Sequence, residues 1–302
     1  MAQTQRDVRE RIGSVKNIQK ITRAMEMVAA ARLRRAEQRI EALRPYADAI
    51  RRMTRQAAEA AGSVPRLPLL QERENVGTVG LLLVAGDRGL AGAFNSNIVR
   101  AGVAVGREHS AEGHHAVYFA SGRRPASSLR FRGLELADSF TGFTDRPAYA
   151  DARRIAERVM AAYVDGDLDQ VEIFYNRYVS PLSQVVSRET LLPLAQATVL
   201  AEEEEDEQER REGEARALVE YEPDPEEILG RLIPDYVEVS IYRALLESTA
   251  SEHGARMTAM RNASENARTL IEDLTLEMNR ARQAEITQEI MEVVAGAEGL
   301  VG

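Results

Sequence analysis

Apolar or small side chains recur about every 3.5 residues along the first sixty positions. They fall at Val8, Ile12, Val15, Ile18, Ile21, Met25, Val28, Leu33, Ala36, Ile40, Leu43, Tyr46, Ile50, Met53 and Ala57. These are 14 steps over 49 residues, with one irregular jump at Leu33. Such a period describes a left-handed supercoil rather than an ordinary surface helix. The C-terminal end repeats it at Met257, Met260, Ala263, Ala267, Ile271, Leu274, Met278 and Ala281, then Ile286, Ile290 and Val293. Neither helix can bury its stripe alone. The economical solution is an antiparallel pair with the middle of the chain inserted at one end. A rod with a globular insertion points to mechanical transmission or bridging more than to a reaction pocket.

The first helix is expected from near Thr4 to about Ala60, roughly 85 Å at 1.5 Å per residue. Gly62, Pro65 and Pro68 close it. Pro45 lies inside it, and the stripe resumes in phase afterwards, so a bend is expected, not a stop. Residues 76–85, 116–120, 170–178 and 183–194 read as strands; 95–108, 124–131 and 148–163 read as helices. This order suggests a small α/β layer with a mixed or partly parallel sheet. Asp224 as N-cap, Pro225 at N1 and acids in the first turn open a final helix to about 295, with Gly296 and Gly299 ending it. The fold class is therefore α/β: a long antiparallel coiled coil of the terminal helices with an inserted small Rossmann-like domain. The expected boundaries are 1–62 for the N-terminal coil helix, 70–200 for the α/β domain, 201–222 for an acidic surface segment and 223–302 for the C-terminal coil helix.

Composition narrows the function classes. Cysteine is absent, which excludes disulfides, thiol nucleophiles and thiol switches. Aromatics make up 5% and tryptophan is absent, which suits long helices better than a compact aromatic core. No run of about 18 apolar residues exists, so no spanning helix is expected. Arg6, Asp7, Arg9, Glu10 and Arg11 interrupt any signal-peptide core. The expected location is cytosolic, or peripheral on the cytosolic face of a membrane. The net charge of -9 hides an asymmetry. Residues 1–60 carry 14 Lys/Arg against 7 Asp/Glu, whereas 202–214 carry nine acids against two arginines. A basic helix and an acidic patch imply separate electrostatic roles. Residues 201–216 read as a solvated, low-complexity segment.

Few motifs carry chemistry. GDRGLAGAFN (86–95) follows a strand and opens a helix, where α/β folds often bind phosphate. It has no Gly-Lys-Ser/Thr, and Gly86, Gly89 and Gly92 do not spell GxGxxG. A tight turn in which Asp87 and Arg88 satisfy backbone groups or each other is the better reading. His109, His114, His115 and His253 are scattered; His114-His115 reads as a loop pair rather than a metal site. Glu238 and Glu247 read as solvated positions on a surface helix. No carboxylate pair or Ser/His/Asp set sits at useful spacing, so no catalytic, cofactor-binding or metal residues are assigned. The run from Met27 to Ala31 would let a partner helix approach closely. The stretch from Ile286 to Gly302 is mostly apolar or small, with Glu289, Glu292 and Glu298 and no basic residue, and would make either a frayed terminus or a plug in an apolar collar.

Three segments carry a resemblance: IGSVKNIQKITRAMEMVAAARLRRA (12–36), GDRGLAGAFNSN (86–97) and RMTAMRNASENARTLIEDLTLEMNRARQAEITQEIMEVVAGAEGL (256–300). With YNRYVSPLSQ (175–184), they resemble the gamma-subunit family of F-type ATP synthases, in order and over nearly the whole chain. The resemblance implies a non-catalytic central rotor of the F1 sector. Its coil would sit within a hexamer of alternating alpha and beta subunits, and its α/β domain against epsilon and the membrane c-ring. There would be one copy per complex, no cofactor and no nucleic acid. Membrane contact would be only indirect, through the c-ring, on the cytoplasmic face of the cell membrane. Ion-driven rotation would cycle the beta sites through ATP synthesis, or hydrolysis would drive the reverse. Lys20, Arg23 and Met25 fall at the family's contact with the acidic lever of beta. Arg256, Arg282, Gln283, Thr287 and Glu289 fall where shaft side chains latch to beta or brace the coil. Charge complementarity there gives registration rather than a permanent bond.

Departures from the family pattern are Ala91 where many relatives have cysteine, Ile18 in place of threonine, and the length of 201–216. Ile18 is expected to add an apolar seam position. The acidic stretch is expected to be a surface element that tunes regulation or meets epsilon. Two other classes compete. A basic coiled-coil module for nucleic acid would use the excess of basic residues in 1–60, but these are spread around the helix without aromatic platforms. A nucleotide-dependent enzyme would use 86–95.

Overall fold

A computed structural model describes residues 5–60, 67–73, 75–194 and 224–301. Residues 201–216, Gly62 and Pro65 lie outside these. The chain divides into two compact units: an α/β unit, Ala31–Ala255, and a coil unit formed by Met1–Ala30 and Arg256–Gly302. Helix α1 spans Gln5–Ala60 and helix α5 spans Pro225–Val301. Both run without interruption through their internal prolines, Pro45 and Pro234.

In the α/β unit the strands are β1 (Thr78–Val84), β2 (His115–Ser121), β3 (Leu136–Phe140), β4 (Gln170–Ser180) and β5 (Ser183–Leu192). The sheet order is β3-β2-β1-β4-β5. The first four strands are parallel, and β5 returns antiparallel from the Ser180–Ser183 turn. Helices α2 (Phe94–Ala111), α3 (Arg123–Phe131) and α4 (Tyr149–Val164) connect them. The central strands are apolar on both faces because both are covered. Leu81 and Leu83 pack with α2 and α3 residues such as Ile98 and Leu129. Leu82 and Val84 pack with Ile155 and Val159 of α4, Ile50 and Ala57 of α1, and Val237 and Ile241 of α5. The close approach of α2 depends on Gly106, where a Cβ would collide with the Tyr118 hydroxyl. Strand β3 was not expected. LADSF is short and only its last residue is buried, so it shows neither alternation nor an apolar run.

In the coil unit the helices are antiparallel: Glu26 pairs with Arg261 and Thr22 with Ser264, so rising numbers on one helix meet falling numbers on the other. Val8, Ile12, Val15, Ala267 and Leu274 form its apolar core, with Ile271 and Met278 against it. The seam on α1 keeps a strict heptad through Val8, Ile12, Val15, Gln19, Thr22, Glu26 and Ala29, all buried or half-buried. The expected seam positions Ile18, Ile21 and Val28 are more than half exposed, and Met25 is only half-buried. Ile18 is therefore not a seam residue. The jump at Leu33 disappears because the seam holds its 3.5 period by passing through polar layers rather than by following apolarity. These layers are satisfied across the helix pair. The Thr22 and Ser264 hydroxyls meet at 2.7 Å, and Gln19 Nε2 donates to the Ser264 carbonyl at 3.5 Å.

Helix α5 does not stop at Gly296 and Gly299 but continues to Val301. A glycine lowers helix stability by about 1 kcal/mol and terminates a helix only by adopting the left-handed cap conformation. The opening cap is as expected: Asp224 Oδ1 accepts from the Glu226 backbone N–H at 3.0 Å.

Candidate functional site

The C-terminal edge of the parallel strands is where an open α/β sheet binds ligands. Here the chain occupies that edge with its own side chains. Asp87 lies in the β1–α2 loop, and its carboxylate accepts from the backbone N–H of Arg123 at 3.0 Å, Gly142 at 2.9 Å and Thr144 at 3.4 Å. It also accepts from the Thr144 hydroxyl at 3.1 Å, which in turn accepts from the Asp87 N–H at 2.9 Å. Arg123 opens α3, so an internal carboxylate takes the position a bound phosphate would take at a helix N-terminus. Asn95 closes the other side: its Oδ1 accepts from the Gly86 N–H at 2.8 Å and its Nδ2 donates to the Arg88 carbonyl at 3.0 Å. Gly122 sits at φ 111°, where a Cβ would stand 2.5 Å from the Ala85 carbonyl. The motif 86–95 is a locked turn, with Asp87 satisfying backbone groups as expected.

A run of α5 that carries no recognisable motif packs over this edge. Ser248, Thr249, Ser251, Glu252 and His253 are all buried. Ser251 Oγ donates to the Asn176 carbonyl of β4 at 2.8 Å, and Thr249 Oγ1 to the Thr144 carbonyl at 2.9 Å. A Cβ on Gly86 would stand 2.9 Å from the Glu252 carboxyl, and one on Gly254 would stand 3.2 Å from the Pro181 carbonyl. Small and hydroxylated side chains let α5 approach strand ends while pairing exposed carbonyls. Within the same unit, the part of α1 beyond Ala30 is held by Arg32 to Asp145 and by Tyr178, whose hydroxyl donates to Glu37 at 2.6 Å.

Glu238 and Glu247 are not solvated. Glu238 is 7% exposed and lies 3.8 Å from Arg153. Glu247 is half-buried beside Arg243, and burial holds its carboxyl above the usual carboxylate range. Arg243 donates to Glu189 at 2.9 Å, and Glu189 also accepts from the Tyr175 hydroxyl at 2.6 Å. Both acids face the α/β unit because this part of α5 is buried on several sides, which a single amphipathic stripe does not reveal. A cavity of about 550 Å³ between α2 and α3 is lined by Arg100, Arg107, Arg124 and Arg132, with Phe131 exposed at its rim.

All eight residues expected at partner contacts belong to the coil unit. Lys20 and Arg23 are exposed and Met25 is half-buried. Arg256 is buried, at 9% exposure. Arg282, Gln283, Thr287 and Glu289 are exposed, with Thr287 Oγ1 donating to the Gln283 carbonyl at 2.8 Å. The antiparallel register puts Lys20–Met25 opposite the region of Arg261 and Ser264. The second group is therefore about 30 Å further along α5 at 1.5 Å per residue. The structure distributes these residues over separate levels of the coil rather than gathering them in one pocket. Beyond Ala281 every described side chain of α5 is exposed, among them Ile286, Ile290, Met291, Val293 and Val294. Ile18, Ile21 and Val28 expose a second apolar face, and Met27 stands exposed on another side of α1.

A sheet edge filled by the chain's own side chains and a coil with exposed apolar side chains fit a structural component better than a reaction pocket. The family model described as ATP synthase matches residues 4–300. ATP synthase gamma chains of Rubrobacter xylanophilus and Moorella thermoacetica are each 43% identical over 98% of this chain and 98% of their own length. The central stalk and c-ring structure of the Tetrahymena thermophila mitochondrial ATP synthase matches with TM-score 0.59 and 28% identity, covering 81% of this chain and 99% of that one. A chain of the Euglena gracilis mitochondrial ATP synthase shares the fold with TM-score 0.66 and 18% identity, covering 98% and 94%. The chain belongs to the ATP synthase family and, within it, to the gamma chains, the central rotor subunits, which are non-catalytic parts of the enzyme.

Proposed function

We propose that this chain turns inside a hexamer of alternating alpha and beta subunits, one copy per complex, with its α/β unit docked on epsilon and the c-ring at the cytoplasmic face of the cell membrane. The carrying observation is the coil surface. Apolar side chains at Ile18, Ile21, Met27 and Val28, and again from Ile286 to Val294, stand in the open. Exposed apolar patches of this kind mark contact surfaces. An encircling apolar sleeve would cover the terminal tip without gripping it. Lys20 and Arg23, flanking Met25, would meet the acidic lever of beta. Arg282, Gln283, Thr287 and Glu289 would latch or brace at the higher level, and the buried Arg256 would brace the coil from within. The closed edge of the sheet favours this reading over nucleotide-dependent catalysis, since Asp87 already takes the backbone donors that a phosphate would need. No helix among the described residues is long and apolar enough to cross a membrane, which fits attachment through the ring.

Adding this chain to a cognate alpha–beta hexamer at one copy per hexamer tests the proposal. A large rise in ATPase rate, with no activity from the chain alone, is expected. An unchanged rate together with no association would remove the rotor reading and bring the binding-module reading forward.

A further inference from the structure

The end of helix α2 carries a cluster that rotor function does not use. Its terminus is a Schellman turn: the Gly113 N–H donates to the Ser110 carbonyl and the His114 N–H to the His109 carbonyl, with Gly113 at φ 91°. This turn folds the residue at C″ over the residue at C3, a contact that is ordinarily apolar. Here both residues are histidines, and their ring centroids lie 5.7 Å apart. Glu112, the C-cap, extends a carboxylate between them: its Oε2 is 3.7 Å from His109 Nδ1 and 3.8 Å from His114 Nδ1. The three ligand atoms lie within 4.8 Å of one another.

Neither Nδ1 has a hydrogen-bond partner, although both atoms are buried. The tautomer of His109 is set from behind. Its Nε2 lies 3.2 Å from Glu172 Oε1, and Glu172 is 2% exposed. Arg188 holds that carboxylate with two bonds, 2.7 and 2.8 Å, and Gln170 Nε2 adds a third at 3.0 Å. An ionised carboxylate only accepts, so a neutral His109 donates through Nε2 and turns the Nδ1 lone pair toward the cluster. Two buried imidazole nitrogens without hydrogen-bond partners and one carboxylate oxygen then converge. Orphaned buried acceptors are costly, and a cation would satisfy all three at once.

We propose that His109 Nδ1, Glu112 Oε2 and His114 Nδ1 form a binding site for a divalent transition metal of the zinc class, completed by water. Two imidazoles and one carboxylate are the donor set such ions prefer at open sites. Bonds of about 2.0–2.2 Å at tetrahedral angles separate ligand atoms by about 3.4 Å; Glu112 Oε2 already lies near that separation from both imidazoles, and the site would close by drawing the two rings together. The Glu172–His109 hydrogen bond supplies the carboxylate behind the ligand that orients metal-bound histidines. The site would staple the end of α2 to the β2 entry and, through Glu172 and Arg188, to β4 and β5.

The test uses the full chain, freed of metal, with zinc titrated against a chromophoric competitor. One equivalent per chain at micromolar affinity is expected, with a rise in melting temperature on adding the metal. Cobalt should give tetrahedral visible bands without thiolate charge transfer, as the chain has no cysteine. His114→Ala and Glu112→Gln touch partly exposed positions, so the variants should fold and bind at least about tenfold more weakly. His115→Ala, whose imidazole faces Glu135 instead, should bind as the unaltered chain does. Absence of stoichiometric binding, or equal binding by the His114→Ala and Glu112→Gln variants, would overturn the assignment.

Discussion

The hydroxyls of Thr22 and Ser264 lie 2.7 Å apart across the two helices of the coil, and the seam runs straight through them. Thr22 also donates to its own helix at the Gln19 carbonyl, at 3.0 Å. One of the two hydroxyls must therefore donate elsewhere while the other donates across. Removing one partner leaves the other underpaired at a part-buried site, which costs about 1 kcal/mol, whereas removing both is nearly neutral. Thr22→Val and Ser264→Ala should each lower the unfolding midpoint of the coil, and the double variant should recover most of the loss. Urea unfolding followed by helix signal measures the cycle. Additive losses would show that the pair is not coupled.

Lys20 and Arg23 face outward and contribute no ion pair among the described contacts of the coil. Reversing both charges to glutamate should leave the chain's stability within about 0.5 kcal/mol, as for exposed surface positions. The same variant should cut the ATPase stimulation of a cognate hexamer several-fold. Full stimulation would remove these residues from the beta contact.

Asp87 joins three backbone N–H groups and one hydroxyl from separate loops. Hydrogen bonds to a charged acceptor contribute about 1.5–3 kcal/mol each and are not additive. Asp87→Ala should therefore destabilise the α/β unit by at least about 2 kcal/mol. A loss below about 0.5 kcal/mol by chemical denaturation would mean that water replaces the carboxylate without cost.

Glu247 should give the α/β unit a pH-dependent weakness. Desolvation raises its pKa above the ordinary carboxylate value, against the lowering influence of Arg243. A carboxyl with a raised folded pKa binds its proton more tightly in the folded chain. Its stabilising contribution is present below the unfolded pKa, near 4.5, and is lost as pH rises through the folded pKa. Glu247→Gln should therefore raise the thermal midpoint at neutral pH, with the gain shrinking toward pH 4.5. A gain that stays constant or grows on acidification would contradict the assignment.

Periodicity and turn chemistry make part of this fold legible in the sequence, whereas burial decided by distant neighbours leaves no local signal. Helices α1 and α5, four strands and the Asp224 cap follow from repeats and punctuation that any local window contains. The seam through Gln19, Thr22 and Glu26 did not, because apolarity led to Ile18 and Ile21, which the coil turns outward. Strand β3 carries no periodic signal, since only Phe140 of it is buried. The burial of Glu238 beside Arg153 of α4, and of the Ser248–His253 run over the sheet edge, depends on neighbours more than sixty residues away in sequence. The His109–His114 approach was legible in part: Gly113 after a helical pattern signals a C-terminal turn, and spacing alone then puts C″ over C3. The contact residues Lys20, Arg23, Met25, Arg282, Gln283, Thr287 and Glu289 came from family resemblance, and only their placement on the coil is physical.

The central claim is that this chain rotates as a shaft. It is tested most directly by fixing a cognate alpha–beta hexamer to a surface, attaching a probe to the α/β unit of this chain and supplying ATP. The account predicts sustained rotation of the probe in one direction, dependent on ATP and lost when the chain is cross-linked to beta through a cysteine introduced at Lys20. ATP hydrolysis that proceeds at full rate with the probe stationary would contradict it.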